Sequence, residues 1–218
     1  GETTMANRST SGFGLRMAMK LGNSPAIGGQ SKYAIKSGLG VGIFKGNPAS
    51  IQLAGDTGYI QDSAFSTTDD GNDGGIDFTT ANDALLVGVH NGVFYIDNTT
   101  SKPTFANSVA ASTTFGTNPN TGSTDGVAFV NDSPDQEYIV KADGVVTQAI
   151  FGLCGNMNDF AAGDAKDGQS TSTFDIGAQA ETKMFRIVRV AEDPDNEDIA
   201  SAGANLIVVC NAAANTYR

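Results

Sequence analysis

Histidine occurs once in this chain, at position 90, and that limits the chemistry available to it. A serine or cysteine nucleophile activated by an imidazole would have to use His90 as its base, yet no Gly-x-Ser-x-Gly elbow accompanies it. His90 precedes Asn91-Gly92, a pair that favours a tight turn, so it is read as a surface histidine flanking that turn. Oxygen ligands for a hard cation such as Ca²⁺ are offered by Asp69, Asp70, Asn72, Asp73 and Asp77, and again by Asp193, Asp195, Glu197 and Asp198. In neither run do the glycine and the closing glutamate fall in the register of a helix-loop-helix calcium site, so both are read as solvated acidic turns. A zinc site built from histidine and cysteine alone is excluded by the inventory of one His and two Cys. Gly12-Phe13-Gly14 runs on into Leu15-Arg16-Met17 without the third glycine of a dinucleotide loop, and no P-loop is present. Cys154 and Cys210 follow apolar residues and are read as two buried, reduced thiols. No catalytic residue, metal site or cofactor is expected, and the chain is not read as an enzyme.

The charge distribution points instead to a large partner. Residues 1–45 carry six basic side chains, Arg8, Arg16, Lys20, Lys32, Lys36 and Lys45, and one acid, Glu2, for a formal charge of +5. The remaining residues hold seven basic side chains against 23 acidic ones, or −16, which gives the chain its net −11. Such an asymmetry favours a macromolecular surface over a small substrate. The negative body argues against nucleic acid, and the six early cations are dispersed rather than clustered. No run approaches the roughly 20 apolar residues of a membrane helix. Gly1 to Thr4 are read either as native residues or as an addition before a native start at Met5, and no signal peptide is expected.

These residues must be positioned by strands. Gly, Ala, Ser, Thr, Asn and Asp make up the deficit left by 39% apolar and 17% charged residues, a composition of short strands joined by turns. The expected fold is mainly β: a sandwich or barrel-like body of short antiparallel strands over 32–218, with an extended basic arm over 1–31. Gly12, Gly14, Gly22, Gly28 and Gly29 argue against a continuous helix in the arm. Lys32 to Lys36 alternates with period two, and Val41 to Phe44 and Ser50 to Leu53 follow as strands. Asn91-Gly92 predicts a hairpin joining Leu85–His90 to Val93–Asp97. Asp143-Gly144 predicts a second, joining Glu137–Lys141 to Val145–Phe151. Met184 to Val190 alternates, with Arg186 and Arg189 on a wetted face, and Asn205 to Cys210 reads as a central strand. Asp69–Gly75, Asn98–Gly126 and Asn158–Ser172 read as long loops.

The order of several motifs resembles a family of small phage structural proteins encoded beside the major capsid protein. The chain has Met5-Ala6-Asn7, Phe13-Gly14-Leu15-Arg16, Asn23-Ser24 and Lys32-Tyr33-Ala34-Ile35-Lys36-Ser37-Gly38. It continues with Ile43-Phe44-Lys45-Gly46-Asn47-Pro48, with Ala128 to Tyr138, and with Arg186–Val190, Leu206–Val209 and Tyr217 near its end. The resemblance implies a virion protein located on the capsid exterior: a head decoration (cement) protein that clamps neighbouring subunits of the major capsid protein. No catalytic residue transfers.

An extended arm suits that role, because unpaired backbone can add a strand to a partner sheet and symmetric repetition turns modest contacts into avidity. The capsid-binding residues expected are Phe13 and Leu15 as anchors in partner pockets and Arg16 as a contact to a carboxylate, with Lys20 and Lys32 beside them. The protein is also expected to contact itself, as dimers or trimers at symmetry axes, with Arg186 and Arg189 facing Asp193–Asp198 of a neighbour. The alternative is a tail or fibre module that binds the host surface through the polar 98–126 stretch.

Overall fold

The computed structural model describes residues 10–26, 28–52, 56–62, 85–158, 163–177, 179, 181, 183–194, 196, 199 and 201–211. The protein is mainly β, as its composition predicts. In chain order the strands are β1 (Arg16–Lys20), β2 (Ser24–Pro25), β3 (Ser31–Ile35), β4 (Ile43–Phe44), β5 (Pro48–Ile51), β6 (Ile60–Asp62), β7 (Leu85–Ile96) and β8 (Pro103–Ala106). They continue as β9 (Ser108–Val109), β10 (Gly126–Asn131), β11 (Gln136–Lys141), β12 (Cys154–Gly155), β13 (Gly163–Asp164), β14 (Gln169–Ser170), β15 (Phe185–Val190) and β16 (Asn205–Cys210). A short 3₁₀ turn occupies Gln148–Ile150.

Two antiparallel sheets dominate. The first has the order β12-β15-β16-β11-β1-β2, and the second β3-β10-β7-β5-β6 with β8 also on β7. The end strands of the second sheet, β3 and β6, approach one another without pairing, so among the described residues it curls strongly without closing into a barrel. The small pairs β13-β14 and β4-β9 lie outside these sheets.

β16 is buried at every position, which its unbroken apolar run Leu206 to Cys210 demands of a central strand. β15 alternates, and a bulge between Ile187 and Arg189 corrects its phase. Arg186 and Arg189 are an odd number of residues apart and would face opposite sides of a regular strand. The bulge aligns them with Val209 and Ile207, on one face. Beneath the first sheet lies a core of Leu15, Tyr138, Val140, Phe174, Met184, Phe185, Ile187, Leu206 and Val208. A second core fills the curl of the other sheet, with Ile35, Ile43, Ile60, Val93, Phe115 and Val130. β7 gives Leu86 and Val89 to the first core and Val87 and Val93 to the second, so it joins the two layers. The Tyr138 hydroxyl, fully buried, donates to the Asn131 carbonyl at 2.9 Å and links the sheets a second time.

Four expectations are corrected. Asn91-Gly92 does not turn the chain: β7 runs straight through it for 12 residues. Phe129 pairs with Gly92 and Val130 with His90, leaving Asn91 as the extra residue of a bulge. Straight passage lets β7 pair with β10 along one edge and with β5 and then β8 along the other, more ladder than a hairpin would offer. Nor does β11 fold back on residues 145–151. It pairs with β16 and β1, while the following segment forms the 3₁₀ turn. The 98–126 stretch contains β8 and β9 and the buried Phe115, stacked on Tyr95 with ring centres 4.8 Å apart.

The fourth concerns the arm. Residues 1–9 lie outside the described residues, but β1 is an internal strand of the first sheet, lying between β11 and β2. The backbone expected to augment a partner's sheet augments its own.

Both cysteines are buried, and neither is joined in a disulfide. Cys154 pairs with Arg186 on β15, and Cys210 lies one strand further on, opposite Phe185. Two strand spacings separate them by roughly 10 Å, beyond the ~7 Å limit for a disulfide. A thiol reagent is therefore expected to label neither cysteine quickly in the native protein and both after denaturation, with no reductant needed.

Candidate functional site

Gly14 decides the path of the FGLR segment. It holds φ at +67°, in the left-handed region, and a Cβ there would stand 2.5 Å from the Ser170 Cβ and 2.8 Å from the Gly46 carbonyl oxygen. Only glycine tolerates both the angle and the approach. The Gly14 N–H donates to the Ser172 carbonyl at 3.0 Å and the Leu15 N–H to the Gly46 carbonyl at 2.8 Å. Leu15 is thereby driven into the first core, 3% exposed, and is not available as an anchor for a partner. Phe13 stays half-buried at the surface, with the Arg16 guanidinium 4.2 Å from its ring centre and the Lys141 ammonium 5.9 Å away. Arg16 is exposed. Lys20 is half-buried at the end of β1, opposite Gln136. Lys32 lies apart from these on β3, exposed, with Phe129 as its cross-strand partner. The five residues named from the sequence thus divide among a core position, the FGLR surface, the far end of β1 and a different sheet.

The residues behind FGLR could not be foreseen. The Gly46 N–H donates to the His90 carbonyl at 2.8 Å, and the His90 N–H donates to the Asn47 carbonyl at 2.9 Å. These bonds hold the 45–47 turn against β7. His90 is 1% exposed, not on the surface as its place beside Asn-Gly suggested. The correction follows from the bulge, which keeps residue 90 inside a central strand.

His90 Nε2 lies 3.4 Å from Asp62 Oδ1, and the Asn47 side-chain amide donates to Asp62 Oδ2 at 2.7 Å. Neither imidazole nitrogen completes a hydrogen bond, nor does Asp62 Oδ1. Burial pushes the His90 pKa down from 6.5 to about 4, against the Gln61 backbone, which pulls the other way. Burial also pushes Asp62 well above the usual carboxylate range, against the Asn47 hydrogen bond. Both groups are driven toward their neutral forms, as expected where water is excluded.

A cavity of about 220 Å³ opens between β1 and the β7 bulge, lined among others by Phe13, Arg16, Lys45, His90, Asn131 and Gln169. Arg16 begins β1, Lys45 lies in the 45–47 turn, and the amides come from β7, β10 and β14. A second, wider groove of about 540 Å³ lies on the outer face of the curled sheet, lined by Gln30, Asn91, Phe105, Asn107 and Phe129 among others. Phe105 is 74% exposed, with its ring centre 4.6 Å from that of Phe94 and 6.3 Å from that of Phe129. An aromatic face of this kind was legible only as phenylalanines at strand positions; the polar surroundings of Phe105 hid it.

Arg189 donates to both carboxylate oxygens of the buried Glu137 at 2.7 Å. It is engaged within its own chain, which corrects its assignment to a neighbour's acids, whereas Arg186 is exposed. Asp193 accepts from the Asn205 amide at 2.9 Å. Asp195, Glu197, Asp198 and the run from Asp69 to Asp77 lie outside the described residues. Among the described residues, no three His, Cys, Asp or Glu side chains converge in a way that would hold a metal ion. No protein-family model, no curated protein and no solved structure matches this chain.

Proposed function

We propose that this chain is a bacteriophage virion structural protein, a head decoration protein that docks on the outside of the shell formed by the major capsid protein and stabilises it. The observation that carries the reading is the aromatic face of the curled sheet. Phe94, Phe105 and Phe129 cluster across β7, β8 and β10, the Phe105 ring tilted against Phe94 and stacked with Phe129, and Lys32 is cross-strand from Phe129 on β3. Exposed aromatic clusters rimmed by polar groups are the usual anchors of protein interfaces. The order of motifs from FGLR to the Arg186–Val190 strand supports the same reading. The rigid β body suits a clamp, because an element that resists shell expansion must not itself deform. Dimers or trimers at symmetry axes would multiply each contact.

Sedimentation with purified shells that lack this protein tests the reading. The wild type is expected to co-sediment at saturating occupancy. Phe105→Ala removes an exposed ring without touching either core, and is expected to weaken binding tenfold or more with an unchanged unfolding midpoint. A wild type that ignores shells but binds host cells, at a few copies per virion, would replace the decoration role with a tail or fibre role.

A further inference from the structure

We propose that the cavity between β1 and the β7 bulge receives a carboxylate, presented as an aspartate or glutamate side chain by the protein partner. The assignment of the occupant to a shell protein rests on the function proposed above; the chemistry of the cavity does not.

Arg16 and Lys45 line the cavity, and among the described residues no acidic side chain does. Among the described residues neither cation forms an ion pair, although Arg16 lies against the Phe13 ring. His90, Asn131 and Gln169 complete the lining, while the His90 ring itself lies 3.4 Å from Asp62. A cleft lined by charge of one sign concentrates groups of the opposite sign. Phe13, Leu15 and Met17 supply an apolar wall. A methylene stem would lie along that wall while its carboxylate met the cations.

Size selects the class of ligand. The volume, about 220 Å³, falls below the roughly 300–1,000 Å³ of sites for drug-sized molecules. A single side chain is the matching occupant. The sign of the charge selects the acid, since a neutral amide would leave both cations without a counter-charge. A carboxylate at a guanidinium is the stronger, charge-assisted case.

The test uses the full chain and a minimal probe, N-acetyl-glutamate N-methylamide, with the glutamine analogue as its neutral control. Backbone and side-chain amide resonances are followed by NMR. The glutamate probe is expected to shift the Gly46 backbone amide and the Asn131 and Gln169 side-chain amides, while the glutamine analogue shifts none. Arg16→Gln and Lys45→Met are each expected to weaken probe binding fivefold or more at an unchanged unfolding midpoint. Equal shifts from both probes, or none from either up to their solubility, overturn the proposal and leave the decoration reading standing, because shell sedimentation tests that separately. If Lys45→Met loses the probe but sediments with shells at wild-type affinity, the occupant is not a shell side chain and that part of the proposal fails.

Discussion

Leu15→Ala is expected to lower the unfolding free energy by about 2–5 kcal/mol, the range for emptying a leucine site in a packed core. Leu15 is 3% exposed and packs in the cluster that contains Leu86, Tyr138, Val140 and Phe174. The site has little scope to collapse, because Gly14 and Gly46 clamp the backbone on either side through the Gly14–Ser172 and Leu15–Gly46 hydrogen bonds. Urea unfolding followed by tyrosine fluorescence measures the loss. Phe13→Ala, two residues away, removes a half-buried ring from the surface and should cost far less stability. Equal and small effects at both positions would mean that residues 10–26 are an appended arm after all. By the same reasoning, deletion of residues 5–30 should not leave a folded body, since it removes Leu15 from the core and β1 and β2 from the first sheet.

Asp62→Asn is expected to change how stability depends on pH, and the sign follows from the two opposed shifts. His90 has a folded pKa near 4, below its unfolded value of 6.5. Between those values the unfolded chain binds the extra proton, so the His90 contribution is present above pH 6.5 and is lost as pH falls toward 4. Asp62 behaves oppositely. Its folded pKa is raised, so the folded chain holds the extra proton, and its contribution is present below the unfolded value of 3.8 and is lost as pH rises through the folded value. Where both shifts operate, the pair carries one proton in either state, and the two slopes cancel.

Asparagine at 62 can still accept from the Asn47 amide and can donate toward His90, but it does not titrate. Only the His90 slope then remains. In the variant the His90 slope alone should remove about 3 kcal/mol between pH 6.5 and pH 4, a steeper fall than in the wild type. Urea unfolding of both proteins at four pH values decides it. Parallel pH profiles would show that Asp62 and His90 do not form the buried couple described above.

The period-two alternation of Lys32 to Lys36 located β3, and that of Met184 to Val190 located β15. The apolar run Leu206 to Cys210 identified a central strand, because unbroken hydrophobicity at strand length needs cover on both faces. The candidate sites were legible only in fragments. Phe13 and Arg16 carried a surface signature that survives in the fold, whereas Lys45, His90, Asn131 and Gln169 meet them only through pairings between distant strands. Phe105 sat in a Ser/Thr/Asn-rich stretch that gave no sign of a strand.

By itself the sequence determined the β class, the location of the strongest strands and the asymmetry of charge. Each depends on side chains within a few residues of one another, through periodicity, turn chemistry and composition. Tertiary structure alone decided which strands are neighbours, and with that the fate of Asn91-Gly92, His90 and the FGLR segment. Asn-Gly offers a permissive backbone that serves a tight turn or a bulge equally well. The choice was made by β10, β5 and β8, whose ladders cover β7 on both edges. Leu15 faces inward for the same reason: β11, some 120 residues later, offers β1 an edge on which Leu15 meets the core. Pairing energy of that kind is collected only once the loops between have closed, so no local window of the sequence contains it.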